Sequence, residues 1–320
     1  MDLKATIKKV KPNLADGSIK NYVIYLRKTF ERCTDSPEST PPDLNFLKDT
    51  ECVLATLKDM KDTTKRNYLN AIVVFTQALT PDYADTPYFK EYSKLRDKYN
   101  RELKEKASNG KRSEKQKSNW ITAEEYDNII ETYKKYFSKN KIFSKDVDRE
   151  DLRLLQEFAL LKLYQQIPSR NDFATIKILT QREYQALKKA TLEENYLVQD
   201  RDKYYFIINE WKTKKNEHDR RRIDVPVDIK KVLKLLIKKQ KGDYLFTNKN
   251  GSPLKRNGLT KYLQTIFKKF YPNKNVSSSI LRHIYLTSKY GAIKEEMKKD
   301  AELLAHSVSQ QKDYIKEEAT

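Results

Sequence analysis

Glycine is scarce: six residues in 320, none of them within GxGxxG or GxxxxGK[ST]. A loop that cradles nucleotide phosphates therefore has no candidate, which argues against ATP-driven or NAD chemistry. Cysteine and histidine are scarcer. Two cysteines, Cys33 and Cys52, and three scattered histidines exclude a disulfide scaffold and any standard zinc finger. Both cysteines are expected as small buried hydrophobes. No apolar run approaches the roughly 20 residues that span a bilayer. The start, Met1-Asp2-Leu3-Lys4-Ala5, leads into charged residues with no apolar signal core, so secretion by that route is not expected. Acidic residues are in deficit, 45 against 65 Lys and Arg, for a formal charge of +20. Such an excess favours a polyanionic partner, nucleic acid before an acidic membrane surface.

What is present suffices to fold. The chain is 38% hydrophobic and holds 21 tyrosines and 12 phenylalanines, so global disorder is excluded, and its length suits two domains. From Ser18 to Phe30, Ile19, Tyr22, Val23, Leu26 and Phe30 recur at helical spacing. Thr34 to Asn45, rich in Pro and Ser, reads as a loop. Leu47 to Met60, Thr63 to Leu79 and Phe89 to Arg101 continue the helical pattern, so residues 1–105 are predicted to form a small all-helical domain. Residues 106–119 form a basic linker without apolar periodicity, and 120–320 form a second domain. Its start is marked by a capping box, Thr122 with Glu125, and by Ile121 and Tyr126 placed as a hydrophobic staple. Helices are predicted over about 122–138 and 150–166. Tyr204 to Ile208 and Arg222 to Val227 read as two strands around a polar, basic turn. Helical patterns return at 229–239, 258–270, 278–290 and 296–305. The expectation is a mainly α protein: a helical N-terminal domain, then a mixed α+β domain with a small antiparallel sheet.

Four places in the second domain carry chemistry. Arg170 follows Pro168-Ser169 just after an apolar helix; Lys212, Lys214 and Lys215 close the first hairpin strand; Arg282 and His283 lie in SSSILRHIYLT; His306 and Tyr314 lie in ELLAHSVSQQKDY. The LRHxxxT element at Leu281 to Thr287 and the LLAHS…Y element at Leu303 to Tyr314 resemble the tyrosine recombinase (phage integrase) family, and so does the two-part layout. The likeness spans about 20–314, with its specific part in the last 40 residues. It implies a core-binding domain followed by a catalytic domain, and a site-specific recombinase or integrase, of viral or mobile-element origin. The enzyme would break and rejoin double-stranded DNA through a 3′-phosphotyrosyl link, with no cofactor, metal or ATP. It would act inside the cell, in the cytoplasm or nucleus of a host. It would assemble as a homo-tetramer on DNA and remain a monomer or weak dimer alone, with no membrane partner. The catalytic set is Arg170, Lys212, Arg282, His306 and Tyr314.

The chemistry explains why these residue types belong together. Attack on phosphorus builds charge on the non-bridging oxygens, which two arginines clamp with bidentate hydrogen bonds. His306 adds a donor. Tyr314 becomes a useful nucleophile beside cations or a proton acceptor, and Lys212, with Lys214 behind it, protonates the departing 5′ oxygen. Two features depart from the family. Ser279 stands where relatives have His three residues before the second arginine, which leaves the proton acceptor for Tyr314 unassigned. His283 is nearby, but it projects from another side of the helix and reads as a packing residue. Only six residues follow Tyr314, where relatives often use a longer tail to dock on a neighbouring subunit. A type IB topoisomerase, which shares the catalytic set and tolerates a non-histidine at the Ser279 position, is the alternative. A catalytically degenerate DNA-binding protein is the third reading.

Overall fold

A computed structural model of the chain describes all residues except 36–39, 145, 188–193, 202, 212–213, 215–218, 309, 312–314 and 316–320. The chain divides into two compact units, Met1–Lys111 and Arg112–Thr320.

The first unit is helical: α1 (Leu3–Val10), α2 (Asp16–Thr34), α3 (Thr50–Ala55), α4 (Asp62–Thr76) and α5 (Pro87–Ser108). Asp2 opens α1 by accepting from the amides of Lys4 and Ala5, two of the donors that a helix start leaves unpaired. On α2 the buried residues Ile19, Val23, Leu26 and Phe30 lie three and four apart, the spacing of one helix face. Helix α4 is central, with Tyr68, Leu69 and every residue from Ala71 to Thr76 buried. By contrast α5 buries only Tyr92, whose hydroxyl donates to the Leu47 carbonyl at 2.9 Å. Tyr88, Phe89, Leu95 and Tyr99 pack half-buried on the same core, and the helix extends into the basic stretch expected as a linker. Short α1 was not anticipated from the pattern. Nor was the cysteine pairing: Cys33 and Cys52 are half-buried and joined in a disulfide, with Cα atoms 5.6 Å apart. The bond ties the end of α2 to α3, and closing a loop of that length removes about 3 kcal/mol of unfolded-chain entropy.

The second unit is mixed. It begins with α6 (Glu114–Ser118), α7 (Ala123–Lys139) and α8 (Arg149–Gln166). At α7 both halves of the Thr122–Glu125 capping box form, and Ile121 and Tyr126 are buried beside it. Then come β1 (Lys177–Thr180), α9 (Gln181–Ala186), β2 (Tyr196–Asp200), β3 (Lys203–Ile208) and β4 (Arg221–Asp224). Helices α10 (Val227–Gln240), α11 (Arg256–Lys268) and α12 (Ser278–Leu303) follow. The sheet order is β1-β2-β3-β4, with β1 parallel to β2 and the other pairs antiparallel. The sheet is therefore mixed, not purely antiparallel as expected. Two-residue alternation sorts its faces: Leu197, Tyr204, Phe206 and Ile208 join the main core, while Tyr196, Val198, Tyr205 and Ile207 form a second cluster with Leu179, covered by Tyr184 of α9.

Helix α8 is the axis of the main core, buried on nearly every side from Leu155 to Tyr164. Even its carboxylate Glu157 is fully buried, and it accepts from Tyr133 at 2.6 Å and from Lys269, with Arg153 at 3.3 Å. Removing one partner of such a buried pair costs about 3–5 kcal/mol. The two helices expected at 278–290 and 296–305 are one continuous helix, α12. Ala305 sits in the left-handed region at φ 50° just after it, and the amides of Ala305 and His306 donate to Glu302 and Ala301 at 3.3 and 3.0 Å. That paired closure is a Schellman stop built on alanine in place of glycine. Among the described residues, no helix is long and apolar enough to cross a membrane.

Candidate active site

The chain leaves α8 through Pro168 and turns at Arg170, the residue before a 3₁₀ turn over Asn171–Phe173. The Arg170 carbonyl accepts from the Tyr164 hydroxyl and from Ser169 Oγ, both at 2.8 Å, so the backbone is fixed while the half-buried side chain projects from a rigid turn. Tyr164 is fully buried, and burial, with Asp172 nearby, raises its pKa. Its hydroxyl fastens the Arg170 turn to α8.

Arg282 lies on the second turn of α12, between the buried residues Leu281 and Ile284. Burial and then the like charge of Arg170 lower the pKa of its guanidinium, while Tyr164 and Asp172 oppose them. The two arginines, distant in sequence, thus feel each other's charge. Like charges that feel each other repel, and an anion bound near both removes that repulsion. Arg282 Nε is buried with no hydrogen-bond partner among the described residues, an unused donor of the sort that a phosphate oxygen would satisfy.

Asp172 is the acidic member of this group, 5% exposed. Its pKa is raised by burial, against the pull of Arg256, Arg221, Arg170 and Arg282. Arg256 Nη2 lies 3.7 Å from its Oδ1. Sequence reasoning missed Asp172, Arg256 and Arg221. Asp172 stands two residues after Arg170 and could have been found from that spacing, whereas Arg256 and Arg221 arrive on other elements and leave no spacing signal. Three hydrogen bonds pin the turn after Arg170 to the start of α11. Asn171 Nδ2 donates to the Arg256 carbonyl at 2.8 Å and to Thr260 Oγ1 at 2.7 Å, and the Thr175 amide donates to Leu254 at 3.0 Å. Thr175 has φ 50°, strained for a β-branched residue and held by that contact.

Of the other sequence candidates, Lys214 lies beside residues that contact Arg221 and Arg256, His306 is placed apart, and the rest lie outside the described residues or are exposed. Lys212, Lys215 and Tyr314 lie outside the described residues. Lys214 binds Glu210 Oε1 at 3.3 Å and stands 5.9 Å from the centre of the Trp211 ring, which Arg221 also faces at 5.9 Å. Ser279 is exposed on the first turn of α12, and His283 is exposed. His306 follows the far end of the helix, its Nδ1 3.2 Å from the Ser307 carbonyl. About 30 Å of helix separates Arg282 from Leu303, so the structure groups Arg170 with Arg282 and leaves His306 distant from both. Among the described residues no cluster of His, Cys, Asp and Glu could hold a metal ion.

No family model matches the chain, and neither does any curated protein. Solved structures do. XerH site-specific recombinase bound to palindromic difH substrate, a post-cleavage complex, is similar over 96% of this chain and 78% of its own, at 18% identity and a TM-score of 0.49. XerA recombinase is similar over 99% and 94%, at 14% identity and 0.35. XerH bound to difH substrate in a pre-cleavage complex is similar over 96% and 94%, at 15% identity and 0.35.

Proposed function

We propose that this chain is a site-specific DNA recombinase or integrase of the tyrosine recombinase type, and the observation that carries the reading is the buried Nε of Arg282, without a partner among the described residues, in the charge field of Arg170. The two guanidinium groups clamp the non-bridging oxygens of one phosphodiester and stabilise the charge that grows there during attack. Tyr314 is the nucleophile: its hydroxyl loses its proton to water, its oxygen bonds to phosphorus, the bond to the 5′ oxygen breaks, and Lys212 gives that oxygen its proton. The reverse sequence rejoins the strands, so bond energy is conserved without ATP or metal. Domain 1–105 and the basic segment 106–119 grip the duplex electrostatically, domain 120–320 does the chemistry, and four copies assemble on DNA. The cellular setting is that of a mobile element or virus acting on DNA inside its host.

His306 joins the arginines of its own chain only if α12 breaks. Gly291, the sole glycine of that helix, marks the place, since glycine costs about 1 kcal/mol relative to alanine in a helix interior. The exposed Ser279 favours a second reading, a type IB topoisomerase, because a serine is no base near neutral pH. Relaxation of a supercoiled plasmid carrying no second recombination site separates the two: catalytic relaxation identifies a topoisomerase.

The decisive test is a nicked suicide duplex, which traps the covalent protein–DNA adduct. Wild type should form it, and Tyr314→Phe should form none while binding DNA nearly as well. An adduct with Tyr314→Phe would assign the nucleophile to another tyrosine, and none with wild type would leave the degenerate DNA-binding reading.

A further inference from the structure

The arginine group holds more positive charge than one phosphodiester can balance. Arg170, Arg221, Arg256 and Arg282 all lower the pKa of Asp172 against its burial, so four cations share the field of one carboxylate, and Arg256 lies 3.7 Å from it. A single scissile phosphodiester carries one negative charge. Arg256 is also built differently from a pair-bonded surface arginine. Its Nη2 donates to the Glu210 carbonyl at 3.1 Å and lies 3.7 Å from Asp172 Oδ1, yet 46% of its side chain is exposed while Asp172 offers only 6%. One edge of the fork donates to a backbone oxygen and lies at ion-pair distance from a buried carboxylate, and the group still faces solvent. The residue itself is pinned to the Arg170 turn through Asn171, whose amide donates to its carbonyl. Arg256 therefore keeps a fixed relation to the phosphate clamp.

We propose that Arg256 holds a second phosphate of the same DNA strand, next to the phosphate clamped by Arg170 and Arg282, and that Asp172 is the residue that positions it. The inference rests on reading the arginine pair as a phosphodiester clamp. Two phosphates flanking one nucleoside would meet two guanidinium sites at a set separation, which fixes where along the strand cleavage falls.

The test needs no knowledge of the target sequence. Three small probes are titrated into the full chain and followed by phosphorus NMR: thymidine 3′-monophosphate, thymidine 3′,5′-bisphosphate and thymidine 5′-diphosphate. The last carries nearly the charge of the bisphosphate, but at one end of the sugar. Wild type should bind the 3′,5′-bisphosphate about tenfold more tightly than either other probe, the worth of one added charge-assisted contact. Arg256→Ala should abolish that preference while monophosphate binding persists, weakened by less than in Arg282→Ala. Arg256→Lys, which keeps charge without the fork, should restore part of it, and Asp172→Asn should weaken the preference without removing monophosphate binding. Arg282→Ala should weaken all three. Equal binding of the two doubly phosphorylated probes by wild type, or a preference that survives in Arg256→Ala, would overturn the second-phosphate proposal alone. No binding of any probe by wild type, or monophosphate binding unchanged in Arg282→Ala, would overturn the clamp reading beneath it.

Discussion

The two halves of α12 differ in composition, the second being far richer in charged residues, and in surroundings. In the first two turns Ser278, Ile280, Leu281 and Ile284 are buried, packed on α8 and α7. Beyond them Leu286, Tyr290 and Ile293 are 52%, 46% and 51% exposed, and Leu303 is 83% exposed. Arg282 belongs to the first half and His306 follows the second. A guanidinium on a packed turn is held in place before any ligand arrives, which is what makes an electrostatic clamp effective. A group beyond an exposed stretch is not held by the packing that fixes Arg282. The comparison teaches that one element carries a preformed half and an unassembled half of the proposed catalytic set.

The largest effect expected on that comparison is at Arg282. Arg282→Ala should lower the rate of covalent adduct formation by a hundredfold to a thousandfold, about 2.7–4 kcal/mol of barrier; a loss below tenfold would deny the first half its anchoring role. Next comes packing. Ile284→Ala should destabilise the second unit by about 2–4 kcal/mol, and Ile293→Ala should stay within about 0.5 kcal/mol. Urea midpoints at unchanged slope measure both, and equal costs would mean that the second half is packed in solution. The smallest effect is at Gly291. A Cβ there meets only Thr287 Cγ2, at 3.7 Å, an ordinary contact. Gly291→Ala should therefore favour the unbroken helix by about 1 kcal/mol and slow adduct formation about fivefold. An unchanged or faster rate would place the break elsewhere or dispense with it.

Patterns within one element were readable from the chain. Helix α7 begins at its capping box because Thr122 and Glu125 are three residues apart and satisfy each other's backbone donors. Strand β3 was visible in Tyr204 to Ile208, although which face each residue meets needed the whole sheet. Strand β1 was missed: KILT is four residues long, and its parallel partner β2 lies across an intervening helix. The break expected between 290 and 296 is absent because a glycine in a helix is a modest cost that neighbouring helical residues override.

Taken by itself, the sequence determined the charge, the two-part division of composition, most of the helices and the residue types able to handle a phosphodiester, because each depends on composition or on neighbours within a turn or two. Only the tertiary structure decided that Cys33 meets Cys52, that Arg170 and Arg282 share a field with Asp172 and Arg256, and that α12 runs unbroken away from them. Those relations join segments far apart in the chain, where proximity is set by how faces bury one another and no local spacing encodes it.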